Sequence, residues 1–336
     1  MKRIFKEVML GRLELKNRLI RSATWEALAD DAGNMDERIY TVYEELAAGG
    51  VGAIISGFTS VADNDHYLEK TARLSNDELI PQHKRLMEIA HKYSCPVIVQ
   101  LAMGEYNSDN CRNMEIDAMT QNDIEAVESL FINAAVRAGK AGYDGVQIHA
   151  AHNFFLSRFI SPVHNHRSDE YGGNVENRGR ILVEILHGIR EKLPDLHITM
   201  KINCSDFIDG GLTPQDSLAI CKLCADSGID SIEVSGNRTS MPGIHAGQNE
   251  AYFKDFALEL ADSVDIPVIL VGGHRSLVNM EKVLNEGRIE FLSLSRPLVR
   301  EPDLPVRWQI GDTAPAQCVS CNMCYRTVGH RCIYNS

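Results

Sequence analysis

The chain has 336 residues, 44% of them hydrophobic and 24% charged, with a formal net charge of −12 and a pI near 5.5. That is enough chain for one barrel-sized domain or two smaller ones. The acid excess, with no long basic stretch, argues against nucleic acid or an anionic membrane surface as partner.

The opening "MKRIFKEVMLGRLELKNRLIRS" lacks the apolar centre of a signal peptide, and no run approaches the roughly 20 apolar residues of a membrane span. A cytoplasmic location is therefore expected. Nine cysteines is an odd number, and four of them fall within residues 318–336. In a reducing compartment such a cluster suggests metal ligands more than disulfides.

In chain order, short β-branched apolar runs occur at 18–23, 51–56, 96–101, 144–149, 197–203, 230–236, 267–273 and 290–296. Amphipathic stretches at 36–48, 79–93, 121–141, 176–192, 214–227, 250–263 and 276–286 separate them. Thr120 and Thr213-Pro214 are expected N-terminal caps, and Gly287 is expected to close the stretch from Ser276. Eight strands alternating with helices predict an α/β fold, a single (β/α)8 TIM barrel over 1–312 followed by a short cysteine-rich tail over 313–336. A doubly wound open sheet is the competitor. It calls for a G-x-G-x-x-G turn after the first strand, where this chain has "TWEALADDAG".

Barrel chemistry gathers at the carboxyl ends of the strands. Those positions are Ser22-Ala23-Thr24, Ser56-Gly57, Gln100, His149 with His152, Lys201 with Asn203, Ser235-Gly236, Gly272-Gly273 and Ser295-Arg296. His149 and His152 sit where a strand turns into a helix, a geometry that puts residues three apart on one face. Gly272-Gly273 offers free backbone N–H groups, and Arg296 a charge-assisted contact, which together suit a phosphate. The strand ends hold no carboxylate pair of the kind a glycosidase needs, and too few ligands for a barrel metallohydrolase. Lys201 as a Schiff-base amine is the aldolase-like alternative.

The stretch "IHAAHNFFLSRFISPVHNHRSDEYGGNVENRGRILVEI" (148–185) resembles the old yellow enzyme family of FMN-dependent barrel oxidoreductases. The branch it looks closest to contains 2,4-dienoyl-CoA reductase and trimethylamine dehydrogenase. "LKNRLIRSAT", "VIVQLA", "MKINCSDFIDGGLT", "VILVGG" and "SLSRPLVREPDLP" extend the likeness across the barrel. The resemblance implies FMN with NAD(P)H as reductant. It assigns Ser22, Ala23 and Thr24 to flavin-ring contacts, Gly57 to a small residue against the ring, and Gln100 to the pyrimidine edge. Lys201 would stand beside N1 and O2, and Gly272, Gly273, Ser295 and Arg296 at the phosphate. His149 and His152 would grip a substrate oxygen while hydride passes from flavin N5 to an activated alkene.

Three departures qualify this. The family's proton-donating Tyr is replaced by Phe154, leaving Tyr106 or water as substitutes. Trp25 is bulkier than the usual residue there. The tail, C-x2-C-x2-C-x7-C at Cys318, Cys321, Cys324 and Cys332, has a shortened final gap; the branch's [4Fe–4S] cluster, zinc and free thiols stay open. Electrons are then expected from NAD(P)H directly or from a separate electron-transfer partner protein, with a homo-oligomer expected. Dehydrogenation or demethylation of a small amine or ether is the alternative activity, and a non-catalytic flavin and cluster carrier or redox sensor the alternative of another class. Cys221 and Cys224 lie in a predicted helix and are expected to be buried rather than redox-active.

Overall fold

The computed structural model describes residues 2–108 and 111–335. Two short strands, β1 (Val8–Leu10) and β2 (Leu13–Leu15), form an antiparallel hairpin that precedes the barrel. Eight parallel strands then close on themselves: β3 (Leu19–Arg21), β4 (Ala53–Ser60), β5 (Val97–Ala102), β6 (Gly145–Ala150), β7 (His197–Asn203), β8 (Ser231–Ser235), β9 (Val268–Val271) and β10 (Phe291–Leu294). β10 pairs with both β9 and β3, which completes the circle. All eight fall where the apolar runs placed them, and the (β/α)8 expectation holds.

Every barrel-strand residue is buried, as a sheet covered on both faces requires. The hairpin was not foreseen, because its strands are three residues long. Its Leu10 and Leu15 are fully buried in one cluster with Ile20, Ala53, Ile55, Ile98, Ile269 and Phe291. It therefore plugs the amino-terminal end of the barrel.

The outer ring contains α1 (Glu37–Ala48), α2 (Ile80–His91), α3 (Gln121–Ala141), α5 (Val175–Lys192), α6 (Pro214–Asp226), α7 (Lys254–Ser263) and α8 (Leu277–Glu286), with a short α4 (Phe155–Ile160) after β6. In α3 the buried positions Ile124, Val127, Phe131, Ala134, Ala135, Ala138 and Ala141 recur three or four apart, the stripe that faces the sheet. Thr120 caps it through a full capping box with Asp123, and Gly142 ends it in the left-handed region at φ 88°. Thr213 accepts a bond from the Asp216 N–H, as expected. Gly287 ends α8 differently from the expectation: it is extended, so the chain leaves without a left-handed cap. After β10 come α9 (Arg296–Arg300), α10 (Leu304–Gln309) and an irregular tail with two 3-10 turns. No helix among the described residues is long and apolar enough to cross a membrane.

Candidate active site at the carboxyl ends of the strands

A cavity of about 290 Å3 lies at the carboxyl ends of the strands. Ser22, Ala23, Thr24, Gln100, His149, His152, Lys201, Gly272, Gly273, Ser295 and Arg296, all nominated from sequence, line it. Of the strand-end positions, Ser56, Asn203, Ser235 and Gly236 stand behind this lining, and so do Gly57 and Tyr106, to which roles were assigned. Gly57 sits behind the Thr24–Glu26 segment, where a Cβ would come within 2.1 Å of Glu26 Oε2 and 2.6 Å of the Thr24 carbonyl. Its small size thus serves that packing. Tyr106 is buried, with its hydroxyl donating to Asp123 Oδ1 (3.1 Å) at the head of α3 and its ring against Phe155 (6.3 Å). It does not reach the cavity wall.

The floor is a buried polar network. Lys201 Nζ lies 3.1 Å from Glu233 Oε2 and donates to Ser22 Oγ at 2.8 Å. Glu233 also accepts from Ser22, Ser293 and Gln147, and Gln147 Oε1 in turn accepts from Gln100 Nε2 at 2.8 Å. Burial pushes the Glu233 carboxyl up, but Lys201 and the three donors outweigh it and leave it below the usual carboxylate value. Lys201 is the cationic partner of a buried carboxylate, a role for a fixed charge rather than for an amine nucleophile. The sequence reading missed Glu233; the sole signal was an acid in the middle of the apolar run "SIEVS".

The histidine pair depends on a backbone turn. His149 is the penultimate residue of β6, and after Ala151 both His152 (φ 63°) and Asn153 (φ 62°) adopt the left-handed conformation before α4 begins. The His152 N–H donates to Asn203 Oδ1 (3.1 Å), which holds this otherwise costly geometry. The two rings meet edge to face with centroids 5.1 Å apart. His152 Nε2 bonds Ser235 Oγ at 2.7 Å, whereas the buried His149 Nδ1 has no hydrogen-bond partner among the described residues. Burial, then His152 and Lys201, pulls the His149 imidazole well below its usual value, and burial with Lys201 brings His152 to about 3. Both rings are therefore neutral near pH 7. Phe154 packs on His149 (5.0 Å), Phe58 (4.9 Å) and Tyr67 (5.6 Å), forming an aromatic wall beside the pair.

At the other end, Gly272 (φ 127°) and Gly273 (φ 80°) lie under the Tyr252 ring, 3.1 and 2.9 Å from where a Cβ would stand. Arg296 and the unforeseen Arg275 are buried there and line the cavity, and among the described residues neither is ion-paired to a carboxylate. Two buried guanidinium groups without a counter-charge, beside backbone N–H groups, fit an anion. With the histidine pair and an aromatic wall at the far end, the cavity suits an elongated ligand carrying a phosphate at one end, as FMN does.

The fold and this donor set agree with a family match: the description "NADH:flavin oxidoreductase / NADH oxidase family" fits residues 3–313. The chain belongs to this family. Members are FMN-dependent oxidoreductases of old yellow enzyme type, as the sequence motifs implied. Among similar proteins, the NADH oxidase of Thermoanaerobacter brockii is 30% identical over 346 residues, covering 95% of this chain and 53% of that protein. The NADPH dehydrogenase of Clostridium acetobutylicum is 28% identical over 316 residues, covering 89% of this chain and 92% of that protein. A 2-naphthoyl-CoA reductase complex shares the fold with a TM-score of 0.86 at 24% identity, over 95% of this chain and 54% of the other. The chain thus spans about half the length of the NADH oxidase and of the naphthoyl-CoA reductase, and nearly all of the NADPH dehydrogenase.

In this flavin oxidoreductase barrel the four tail cysteines converge. Cys318, Cys321, Cys324 and Cys332 line one small cavity, of which Arg296 is also a wall. Among the described residues no three His, Cys, Asp or Glu side chains are grouped as for a single metal ion. Trp25 lines the main cavity, with its ring edge on His330 (4.8 Å) of the tail. Cys221 and Cys224 are buried in α6, where burial pushes the Cys224 thiol up to about 12, the inert state expected.

Proposed function

We propose that this barrel binds FMN, is reduced by NAD(P)H, and reduces alkenes conjugated to a carbonyl or similar group. The observation that carries this is the pair of imidazoles, His149 and His152, lining one cavity with ring centroids 5.1 Å apart. FMN, when bound, supplies the two-electron hydride chemistry. The chain does the rest. Gln100, Lys201, Ser22 and Thr24 would hold the ring, and Gly272, Gly273, Ser295, Arg296 and Arg275 the phosphate. His149 and His152 bind the acceptor's carbonyl oxygen and polarise it, which makes the β-carbon electrophilic. Neutral imidazoles suit that task, because each can donate one N–H without importing a charge. Phe154 offers no proton, so water completes the addition. The test is anaerobic turnover of a cyclic enone with NADH or NADPH by FMN-loaded protein. Turnover should exceed the enzyme-free rate and collapse when His149 and His152 become Ala; flavin binding without such turnover sinks the alkene assignment.

The aromatic wall of Phe58, Phe154 and Tyr67 beside the histidines favours one second reading, oxidation of a small amine, since such a wall suits a cation and the reaction needs no proton donor. A panel of amines with an artificial electron acceptor separates the two.

The tail supports a [4Fe–4S] site. A tetrahedral zinc at about 2.3 Å from each sulfur holds thiolates roughly 3.8 Å apart. Four cysteines lining one small cavity match the number of thiolates a [4Fe–4S] cluster takes, although the described residues hold no preformed group of metal ligands. Iron and sulfide analysis of anaerobically purified protein tests this. About one zinc per chain with no iron would overturn it.

A further inference from the structure

Arg275 belongs to two places at once. Its guanidinium is buried and lines the main cavity beside Gly272 and Gly273. The same group is held by the cysteine tail and by the His274 carbonyl, to which Nη1 donates at 2.6 Å. Nε donates to the Cys318 carbonyl at 3.0 Å, and Nη2 donates to Ser320 Oγ at 2.6 Å and lies 3.7 Å from Cys318 Sγ. The backbone repeats the connection, since the Ala316 N–H donates to the Arg275 carbonyl at 2.8 Å.

Arg296, the other cation at this end, is tied to the same tail. Its Nη1 donates to Asn322 Oδ1 at 2.5 Å, and Asn322 Nδ2 donates to the Ser240 carbonyl at 2.9 Å. Both guanidinium groups face the cavity, repel one another, and are held there by hydrogen bonds from a segment with little apolar burial of its own. Residues 312–319 and 321–328 are exposed or half-buried throughout, so polar contacts such as these, more than apolar packing, hold the tail on the barrel.

From these contacts we infer that Arg275 is a positioning residue linking the two halves of the site. The ordered cysteine loop fixes Arg275, and through Asn322 also Arg296, against the anion cradle. Binding of a flavin phosphate and filling of the thiol site therefore strengthen one another. By linkage the effect runs both ways with the same factor. Two fixed guanidinium groups bind a phosphate more tightly than two mobile ones, because their rotamer freedom is already lost before the ligand arrives. This rests on the flavin reading above and adds to it a dependence that neither the cradle nor the cysteines imply alone.

The experiment compares FMN with riboflavin, which lacks the phosphate, by fluorescence titration of the full-length flavin-free protein. The double variant Ser320→Ala/Asn322→Ala removes the tail's side-chain oxygen partners of both arginines, keeps the Arg275 bond to the Cys318 carbonyl, and leaves every cysteine and both guanidinium groups in place. FMN binding should weaken about tenfold, equivalent to about 1.4 kcal/mol, while riboflavin binding stays as in the parent. Arg275→Ala should weaken FMN at least as much. Arg275→Lys, which keeps the charge but cannot fork across Cys318 and Ser320, should fall between, and it tests the same point should the alanine variant not fold. In the reverse direction, saturating FMN should slow loss of iron to a chelator severalfold, and riboflavin should not.

FMN affinity unchanged or tighter in the double variant, or FMN and riboflavin weakened equally, overturns the inference. A parent protein that binds neither flavin overturns the flavin reading instead. One that binds FMN but contains no iron overturns the metal half of the linkage and the cluster assignment together, and leaves the tail's effect on the phosphate to the double variant.

Discussion

Lys201 and Glu233 form an ion pair at the centre of the barrel, with 3.1 Å between Nζ and Oε2 and side-chain exposures of 3% and 0%. Breaking such a pair by neutralising one partner strands the other charge and costs about 3–5 kcal/mol, whereas replacing both is far milder. Glu233→Gln should therefore lower the free energy of unfolding by roughly that amount in urea titrations. Lys201→Met combined with Glu233→Gln should recover much of the loss. Because the Glu233 pKa is lowered in the folded state, the pair's contribution is complete above the unfolded carboxylate pKa. It fades as pH falls below about 4.

His152 has the opposite chemistry and the same acid sensitivity. It titrates at about 3 when folded against 6.5 for the free side chain. Its neutral form is present in full above pH 6.5, and between pH 6.5 and 3 the folded state loses stability as pH falls. The difference in melting temperature between flavin-free parent and His152→Gln protein should shrink on going from pH 7 to pH 4. The enzyme's rate should show no histidine inflection between pH 6 and 8.

Removing either imidazole should be costly for catalysis and cheap for flavin binding. His149→Ala and His152→Ala should each lower kcat for enone reduction about 10²-fold or more, the usual consequence of losing one donor to a developing oxyanion. FMN affinity measured by titration should move little. A parallel loss of FMN would place the histidines at the flavin instead of the acceptor.

Phe154→Tyr places a hydroxyl on a ring 5.0 Å from His149. If alkene reduction proceeds with water as proton source, the new phenol should raise turnover, on the order of 10-fold or more given what general acids contribute. Amine oxidation needs no such proton. An unchanged enone rate with faster amine turnover would favour the amine reading.

Gly273→Ala asks a residue with a Cβ to hold φ 80° with the Tyr252 ring 2.9 Å away. It should weaken FMN more than riboflavin. Gly142→Ala makes a fair control: φ is 88° there, but nothing lies within 4 Å of the added carbon, so only the backbone strain of about 1–2 kcal/mol appears, as lost stability.

The sequence was most legible where a single period or residue type carries the message. Eight apolar runs were enough for the closed barrel, since strands buried on both faces leave unbroken β-branched stretches. The cavity wall was mostly readable from strand ends, because chemistry in this architecture is confined to them. What escaped depends on distance through space. Glu233 is hidden inside an apolar run, and its meaning appears only when Lys201, its register partner on the preceding strand, lies against it. Arg275 looked like part of a helix start, because its partners, Cys318 and Ser320, follow more than 40 residues later. Tyr106 failed in the other direction: sequence places it on the correct loop, but Asp123 claims its hydroxyl.

The β1–β2 hairpin has a kinetic consequence. Leu10 and Leu15 seal the amino end of the barrel, so a ligand in the cavity is approached from the carboxyl side, where His149 and His152 line it. On the proposed reaction, nicotinamide and alkene are taken to use this mouth in turn. The reductant must depart before the acceptor enters, so initial-rate plots at varied concentrations of both should give parallel lines.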